Sequence, residues 1–279
     1  MPELEPNFNR RKRFLVDPPA DKIKLAKVWK LLESYSGIPP DEIEEHLRHV
    51  RAKAWAIFPY GCIGRWRFLD LYITALPQYP ELLARTQQGQ TLLDCACCFG
   101  QALRQLAFDG APASSLVGLD LRREFIDLGY EMFRDKDTFG ARFVTGSMLD
   151  PQDARLQVLD GTMDIIHAAS FFHLFGWDDQ VTIGERMVKF LKTDSGGATV
   201  LGRQIGSATE PLDPKEHEEK GLGRYHHNQR SMQGLWDVIG EKTGTRWKVE
   251  AELKTVLEEL EDGQEEERTT IRFVVRQAD

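Results

Sequence analysis

Two acidic residues close two of the most hydrophobic segments of the chain, and a run of small residues follows the first. Leu92-Leu93-Asp94-Cys95-Ala96-Cys97-Cys98-Phe99-Gly100 reads as a buried strand running into a tight turn. Leu116-Val117-Gly118-Leu119-Asp120 reads as a second strand with its own terminal acid. A third strand, Arg142–Thr145, runs into Gly146-Ser147-Met148. At the carboxyl ends of open α/β strands such groups meet a ligand. An acid after the first strand suits a cation. An acid after the second accepts hydrogen bonds from both hydroxyls of a ribose. Polar groups and amides after the third read an adenine edge. The plainer reading of each acid is a helix N-cap or a solvated strand end. Its place at the end of a buried strand favours the ligand.

The ligand is narrowed by what the turn lacks. A dinucleotide site uses G-x-G-x-x-G so that backbone approaches a pyrophosphate at a helix N-terminus. Here the first small positions are Ala96 and Cys98, and Asp94 sets negative charge beside them. A phosphate-free adenosine ligand with a sulfonium and an ammonium, S-adenosylmethionine, fits better than NAD.

Of four cysteines, Cys95, Cys97 and Cys98 share this turn. Cys95 and Cys98 spell C-x-x-C, which admits a redox site, but small residues packed into a turn are expected. No second cluster completes a zinc site, so no metal is expected. A reducing, cytoplasmic setting follows from this usage.

The elements that must position these groups alternate from Thr91 onward. Strands are expected at Thr91–Asp94, Leu116–Asp120, Arg142–Thr145, Met163–Ala169 and Ala198–Gln204. Helices lie between them at Ala102–Asp109, Arg123–Arg134 and Asp179–Leu191. This is the pattern of a parallel sheet covered on both faces. A helix over Met232–Thr243 and strands over Trp247–Val256 and Thr270–Arg276 follow, joined by a solvated acidic loop from Leu257 to Arg268. Residues 1–88 read as a helical cap and 89–279 as the ligand-binding domain. In the cap, Ile43, Leu47, Val50 and Ala54 make one apolar helix face, with Pro39 and Pro40 before it. A further helix is expected from Phe68, ended by a joint rich in helix breakers around Pro77 and Pro80.

A net charge of −8 argues against nucleic acid or an anionic membrane as partner. No apolar run reaches the roughly 20 residues of a membrane span. The N-terminus, MPELEPNFNRRKRF, has no apolar core of a secretory signal. Its Arg10-Arg11-Lys12-Arg13 cluster reads as a solvated arm.

The chain resembles a class I S-adenosylmethionine-dependent methyltransferase. Leu92–Gly100, Leu119-Asp120 and Gly146-Ser147-Met148 match its first three motifs. It is more closely similar to the fungal methyltransferases of meroterpenoid biosynthesis. That resemblance rests on Ala54–Gly64 with Arg67-Phe68-Leu69, on Asp94-Cys95-Ala96-Cys97-Cys98, and on Trp236–Thr245. It implies a Rossmann-like α/β fold: a seven-stranded, mostly parallel sheet with helices on both faces and an N-terminal helical cap. It implies cofactor contacts from Tyr60, Asp94, Ala96, Gly100, Asp120, Leu121, Ser147 and Met148. Ser147 stands where the family usually has an acid.

The implied reaction is methyl-ester formation on a carboxyl group of a farnesylated polyketide, an apolar small-molecule acid. The alternatives are a hydroxyl or phenol O-methyltransferase and a pericyclase-like protein that keeps the fold without methylating. A homodimer is expected. His173 and His226 are the candidate bases if the acceptor is a hydroxyl; His167 reads as structural. Gly223–Ser231 reads either as a substrate-gating lid or as a solvated loop with a helix cap at Ser231. The segment with Tyr60, Arg65, Trp66 and Arg67 reads either as folding over the cofactor, with Tyr60 near its carboxylate and an arginine available to a substrate carboxylate, or as cap core around Trp66 and Phe68, with packing favoured for Phe68.

Overall fold

The computed structural model describes residues 12–19, 22–259 and 265–278. Its centre is a seven-stranded sheet of order β3-β2-β1-β4-β5-β7-β6. The strands are β1 (Leu92–Cys95), β2 (Leu116–Asp120), β3 (Arg142–Thr145), β4 (Ile165–His167), β5 (Thr199–Ile205), β6 (Trp247–Glu259) and β7 (Glu265–Gln277). Neighbours β3 through β5 pair in parallel, and β7 pairs antiparallel with both β5 and β6. β1, β2 and β4 are buried at every residue, as strands covered on both faces must be. Strand order reverses at β1, which puts a crevice at the carboxyl ends of β1, β2 and β4.

The helices are α1 (Lys22–Ser34), α2 (Ile43–Ile57), α3 (Gly61–Gly64), α4 (Tyr79–Gln87), α5 (Gln101–Phe108), α6 (Arg123–Phe133), α7 (Trp177–Phe190), α8 (Pro214–Glu219) and α9 (Gln229–Thr243). Alternation along the strands divides the core. Leu93, Leu119, Ile166 and Val200 meet α7 and α9, where Met187 and Trp236 are fully buried. Leu92, Leu116, Ile165 and Leu201 meet α4 and α5. A third core joins the cap to α6: Ile43, Leu47, Val50 and Ala54 of α2 lie with Phe125, Met132 and Phe133. Burial of each larger apolar side chain contributes about 1.5–3 kcal/mol, which is what fixes the cap to the sheet domain.

Several expected elements come out differently. No helix starts at Phe68; the segment makes 3-10 turns at Arg67–Leu69 and Tyr72–Ala75. The joint around Pro80 is instead the start of α4, because proline in a first helical turn gives up no hydrogen bond. β4 spans only Ile165–His167, and Met163 bridges to Leu191 alone. The acidic segment after Leu257 is not a loop throughout. β6 and β7 stay paired out to Glu259 opposite Glu265, with a Thr255–Thr269 hydrogen bond and an Arg272–Glu252 ion pair across the strands. Arg10 and Arg11 lie outside the described residues. Among the described residues no helix is long and apolar enough to cross a membrane.

Candidate active site

The turn after β1 takes its shape from three alternating left-handed residues: Ala96 (φ 59°), Cys98 (φ 52°) and Gly100 (φ 64°). Left-handed backbone costs a non-glycine residue about 1–2 kcal/mol, so the chain stores strain at Ala96 and Cys98. Hydrogen bonds hold it there. The Cys97 amide donates to Leu119 O (2.9 Å), the Cys98 amide to Asp120 Oδ2 (2.8 Å) and the Gly100 amide to Cys97 O (2.7 Å). A Cβ on Gly100 would lie 2.8 Å from Arg104 Nη1 and 3.0 Å from the Phe143 ring, so this position admits only glycine.

Arg104 fixes the far side of the turn. It is fully buried and donates from Nη1 to Phe99 O (2.8 Å). Its Nε and Nη2 form a bidentate pair with Asp135 at 2.7 and 2.8 Å. The guanidinium lies over the rings of Phe133 (4.7 Å) and Phe139 (4.6 Å). Tyr35 of the cap donates to Asp135 Oδ2 (2.9 Å), so cap, turn and α6 share one network. Nothing in the sequence pairs residues so far apart.

Asp94 and Asp120 lie on adjoining strands, Asp94 in register with Gly118 and Asp120 two residues further along β2. Asp94 Oδ1 accepts from Nδ1 of His167 at 2.7 Å, and both side chains are buried. His167 is thus the partner that holds Asp94, in keeping with a structural role. Asp120 accepts from the backbone amides of Cys98 and Arg122 (3.0 Å). Burial raises its pKa, the amides of Arg122 and Cys98 oppose the rise, and Asp94 adds to it.

The cap supplies a facing wall. Tyr60 packs its ring 4.4 Å from that of Phe58 and 5.8 Å from that of Phe125. Burial and then the Asp120 charge raise its pKa, while Arg122 lowers it. Tyr60 therefore stands at the Asp120 end of the crevice, within reach of the Asp120 and Arg122 charges. Cys62 is exposed, yet crowding by protein atoms pushes its thiol up to about 11. Burial also raises Cys95, Cys97 and Cys98 well above the ordinary thiol value, which leaves the C-x-x-C spacing poor in nucleophilic thiolate. Trp66 and Phe68 are buried and stacked 5.8 Å apart, as packing residues. Arg65 lies over Phe14, whereas Arg67 Nη1 donates to the Tyr72 hydroxyl (3.3 Å).

Leu121 is 53% exposed directly after Asp120, an apolar surface at the crevice. The Ser147 amide donates to Asp153 Oδ2 (2.9 Å), and its hydroxyl accepts from Leu149 (3.3 Å). Asp153 is held well below the ordinary carboxylate range by Arg155. The Met148 side chain is buried in the main core with Val144 and Leu156.

After β4 the chain turns sharply at Ser170, also left-handed (φ 53°). His173 follows and is buried; burial and then His226 push it down to about 3. The two rings lie 6.3 Å apart. Neither His173 Nδ1 nor His226 Nε2 has a hydrogen-bond partner among the described residues. The Gly223–Ser231 segment around His226 is exposed at Gly223, Arg224, Gln229 and Arg230 and packed at its middle. Tyr225 and His227 are buried, with His227 held by Gln180 Oε1 (2.9 Å) and Ser231 Oγ (3.0 Å). The cap of α9 is Asn228, with Ser231 completing a capping box.

A turn without bulkless approach to phosphate, an acid facing its mouth and a second acid one strand over suit a cationic adenosine ligand. The comparisons agree. Residues 17–69 match the meroterpenoid methyltransferase N-terminal domain, and residues 92–194 match a methyltransferase domain. The chain is 40% identical to O-methyltransferase phiE of a fungal species over 83% of this chain and 75% of that one. It is 39% identical to O-methyltransferase atr3 of Stereocaulon alpinum, over 91% and 73%. It is 40% identical to the asnovolin E/chermesin D methyltransferase nvfJ of Aspergillus novofumigatus, over 79% and 78%. In fold it is similar to an S-adenosylmethionine-dependent methyltransferase from Anabaena variabilis, with TM-score 0.53, 12% identity and 85% and 94% of the two chains covered.

Proposed function

This chain belongs to the fungal S-adenosylmethionine-dependent methyltransferases related to meroterpenoid pathways, and on that premise we propose that it esterifies a carboxyl group of a farnesylated polyketide. The observation that carries the carboxyl reading is the state of the two candidate bases. A phenol or alcohol must lose a proton as it attacks, so it needs a base matched to that task. Burial pushes His173 down to about 3, which makes it a weak proton acceptor, and it lowers His226 as well. A carboxylate is already ionised at neutral pH and has no proton to give up. It needs alignment and exclusion of water, not a base.

When bound, S-adenosylmethionine supplies an electrophilic methyl group on a sulfonium. In this reading Asp94, oriented by His167, faces the cationic end. Asp120 takes the ribose hydroxyls with the lone pairs its amide contacts leave, and Leu121 and the backbone of Ser147 and Met148 flank the adenine. Ala96 and Gly100 shape the turn beneath, and Tyr60 closes the cap side. His173 and His226 line the acceptor side as neutral donors. We assign residues 1–88 to the cap and 89–279 to the cofactor domain, and we place the protein in the cytoplasm as a homodimer.

The test offers methyl-labelled cofactor with a farnesylated polyketide acid and with the same compound reduced to the primary alcohol at that carboxyl. Label on the acid alone supports the reading. Label on the alcohol or on a phenolic oxygen of both compounds overturns it, and so does no transfer to either.

A further inference from the structure

The carboxyl edge of the sheet carries a cationic corner that the mechanism above leaves unused. Leu201 of β5 is in register with His167, which is in register with Asp94. Side chains alternate faces along a strand, so Arg203 shares a face with Asp94 and His167 and stands roughly 7 Å further toward the carboxyl edge than Leu201. The chain leaving β4 meets it there, with the Ser170 amide donating to Arg203 O at 2.7 Å. The Arg203 guanidinium lies 4.2 Å from the centre of the Tyr72 ring. The Tyr72 hydroxyl also takes the bond from Arg67. Asp70 is the acid that bears on the same hydroxyl. Two guanidiniums thus flank one tyrosine with one carboxylate beside them. Among the described residues Arg203 has its ring contact and no ion pair.

Position identifies the ligand this corner suits. β5 is two strands from β1, about 10 Å at the usual strand spacing, on the side away from β2 and β3. The adenosine side of the crevice and the acid for the cationic end are therefore behind it, and the space it borders is the acceptor's. A planar guanidinium stacked on an aromatic ring presents a fork matched to a carboxylate. We propose that Arg203, stacked on Tyr72, binds and orients the carboxylate of the methyl acceptor. This assignment rests on the carboxyl reading above, and it makes Arg203 a residue that sets acid over alcohol specificity.

The test is calorimetric, on the full chain saturated with S-adenosylhomocysteine, with farnesoic acid and farnesol as probes. The wild type binds the acid more tightly than the alcohol. Arg203→Met weakens the acid about 10- to 100-fold, the worth of a hydrogen bond to a charged group. It leaves farnesol and S-adenosylhomocysteine affinity unchanged. Arg203→Lys, a gentler change, restores part of the preference. If Arg203→Met and Arg203→Lys keep the full preference for the acid, the assignment fails while the carboxyl reading stands. If they weaken S-adenosylhomocysteine instead, the corner belongs to the cofactor's own carboxylate and the assignment is again wrong. A wild type with no preference for the acid sinks the carboxyl reading and this subsite together.

Discussion

Ala96 and Cys98 adopt backbone that glycine takes without strain, and this has a measurable consequence. Ala96→Gly should relieve about 1–2 kcal/mol of strain, against about 0.4–1 kcal/mol of added chain entropy in the unfolded state. Its melting temperature should equal or exceed that of the wild type, contrary to the usual effect of glycine. A fall of several degrees would mean that the Ala96 methyl packs in a way that outweighs the strain. Gly100→Ala runs the other way. Its Cβ meets Arg104 and Phe143 at left-handed backbone, so a loss of at least about 2 kcal/mol is expected in urea titrations, with weakened S-adenosylmethionine binding. The strands that carry Asp94 and Asp120 were legible in the sequence because each acid follows a run of apolar residues. The bond between Asp94 and His167 was not, since it joins residues brought together only by strand pairing.

The elements around the turn are held by one buried ion pair. Removing one partner of such a pair leaves a charge without compensation, which typically costs about 3–5 kcal/mol. Arg104→Met should therefore destabilise strongly, and it should also weaken cofactor binding, because Arg104 holds the Phe99 carbonyl. Tyr35→Phe removes one hydrogen bond to Asp135 and should cost about 1 kcal/mol while leaving cofactor affinity nearly unchanged. Equal losses from both variants would argue that the network acts on stability alone. The Gly223–Ser231 segment shows the limit of composition at this scale. Adjacent histidines, an asparagine and an arginine look solvated, but Gln180 on α7 gives His227 a partner, and only the fold reveals that contact. Pro80 misled in the opposite sense, since proline breaks a helix interior but opens a first turn.

For the whole molecule, the buried histidines set a pH dependence. His173 and His227 are each pushed down to about 3, chiefly by burial. In the unfolded chain both protonate near 6.5. With folded values depressed, this contribution to stability is full above pH 6.5 and is lost as the pH falls from there toward 3. Each histidine adds up to roughly 1.4 kcal/mol per pH unit to the slope. Urea midpoints should drop steeply between pH 6.5 and 4.5, and His227→Gln should flatten that drop even though it lowers stability at neutral pH. A slope unchanged by the substitution would show that other groups carry it. At this scale the sequence was most informative: strand and helix alternation from Thr91 predicted the sheet and its two covers. The length of the β6–β7 hairpin escaped it, because acidic composition masked an alternating strand pattern.

The carboxyl acceptor is the claim on which the mechanism turns, and ester chemistry examines it directly. Product labelled from the methyl group of S-adenosylmethionine is treated with mild alkali. The account predicts that the label leaves as methanol, because a methyl ester hydrolyses under these conditions. Label that stays on the product, as it would in a methyl ether, would contradict it.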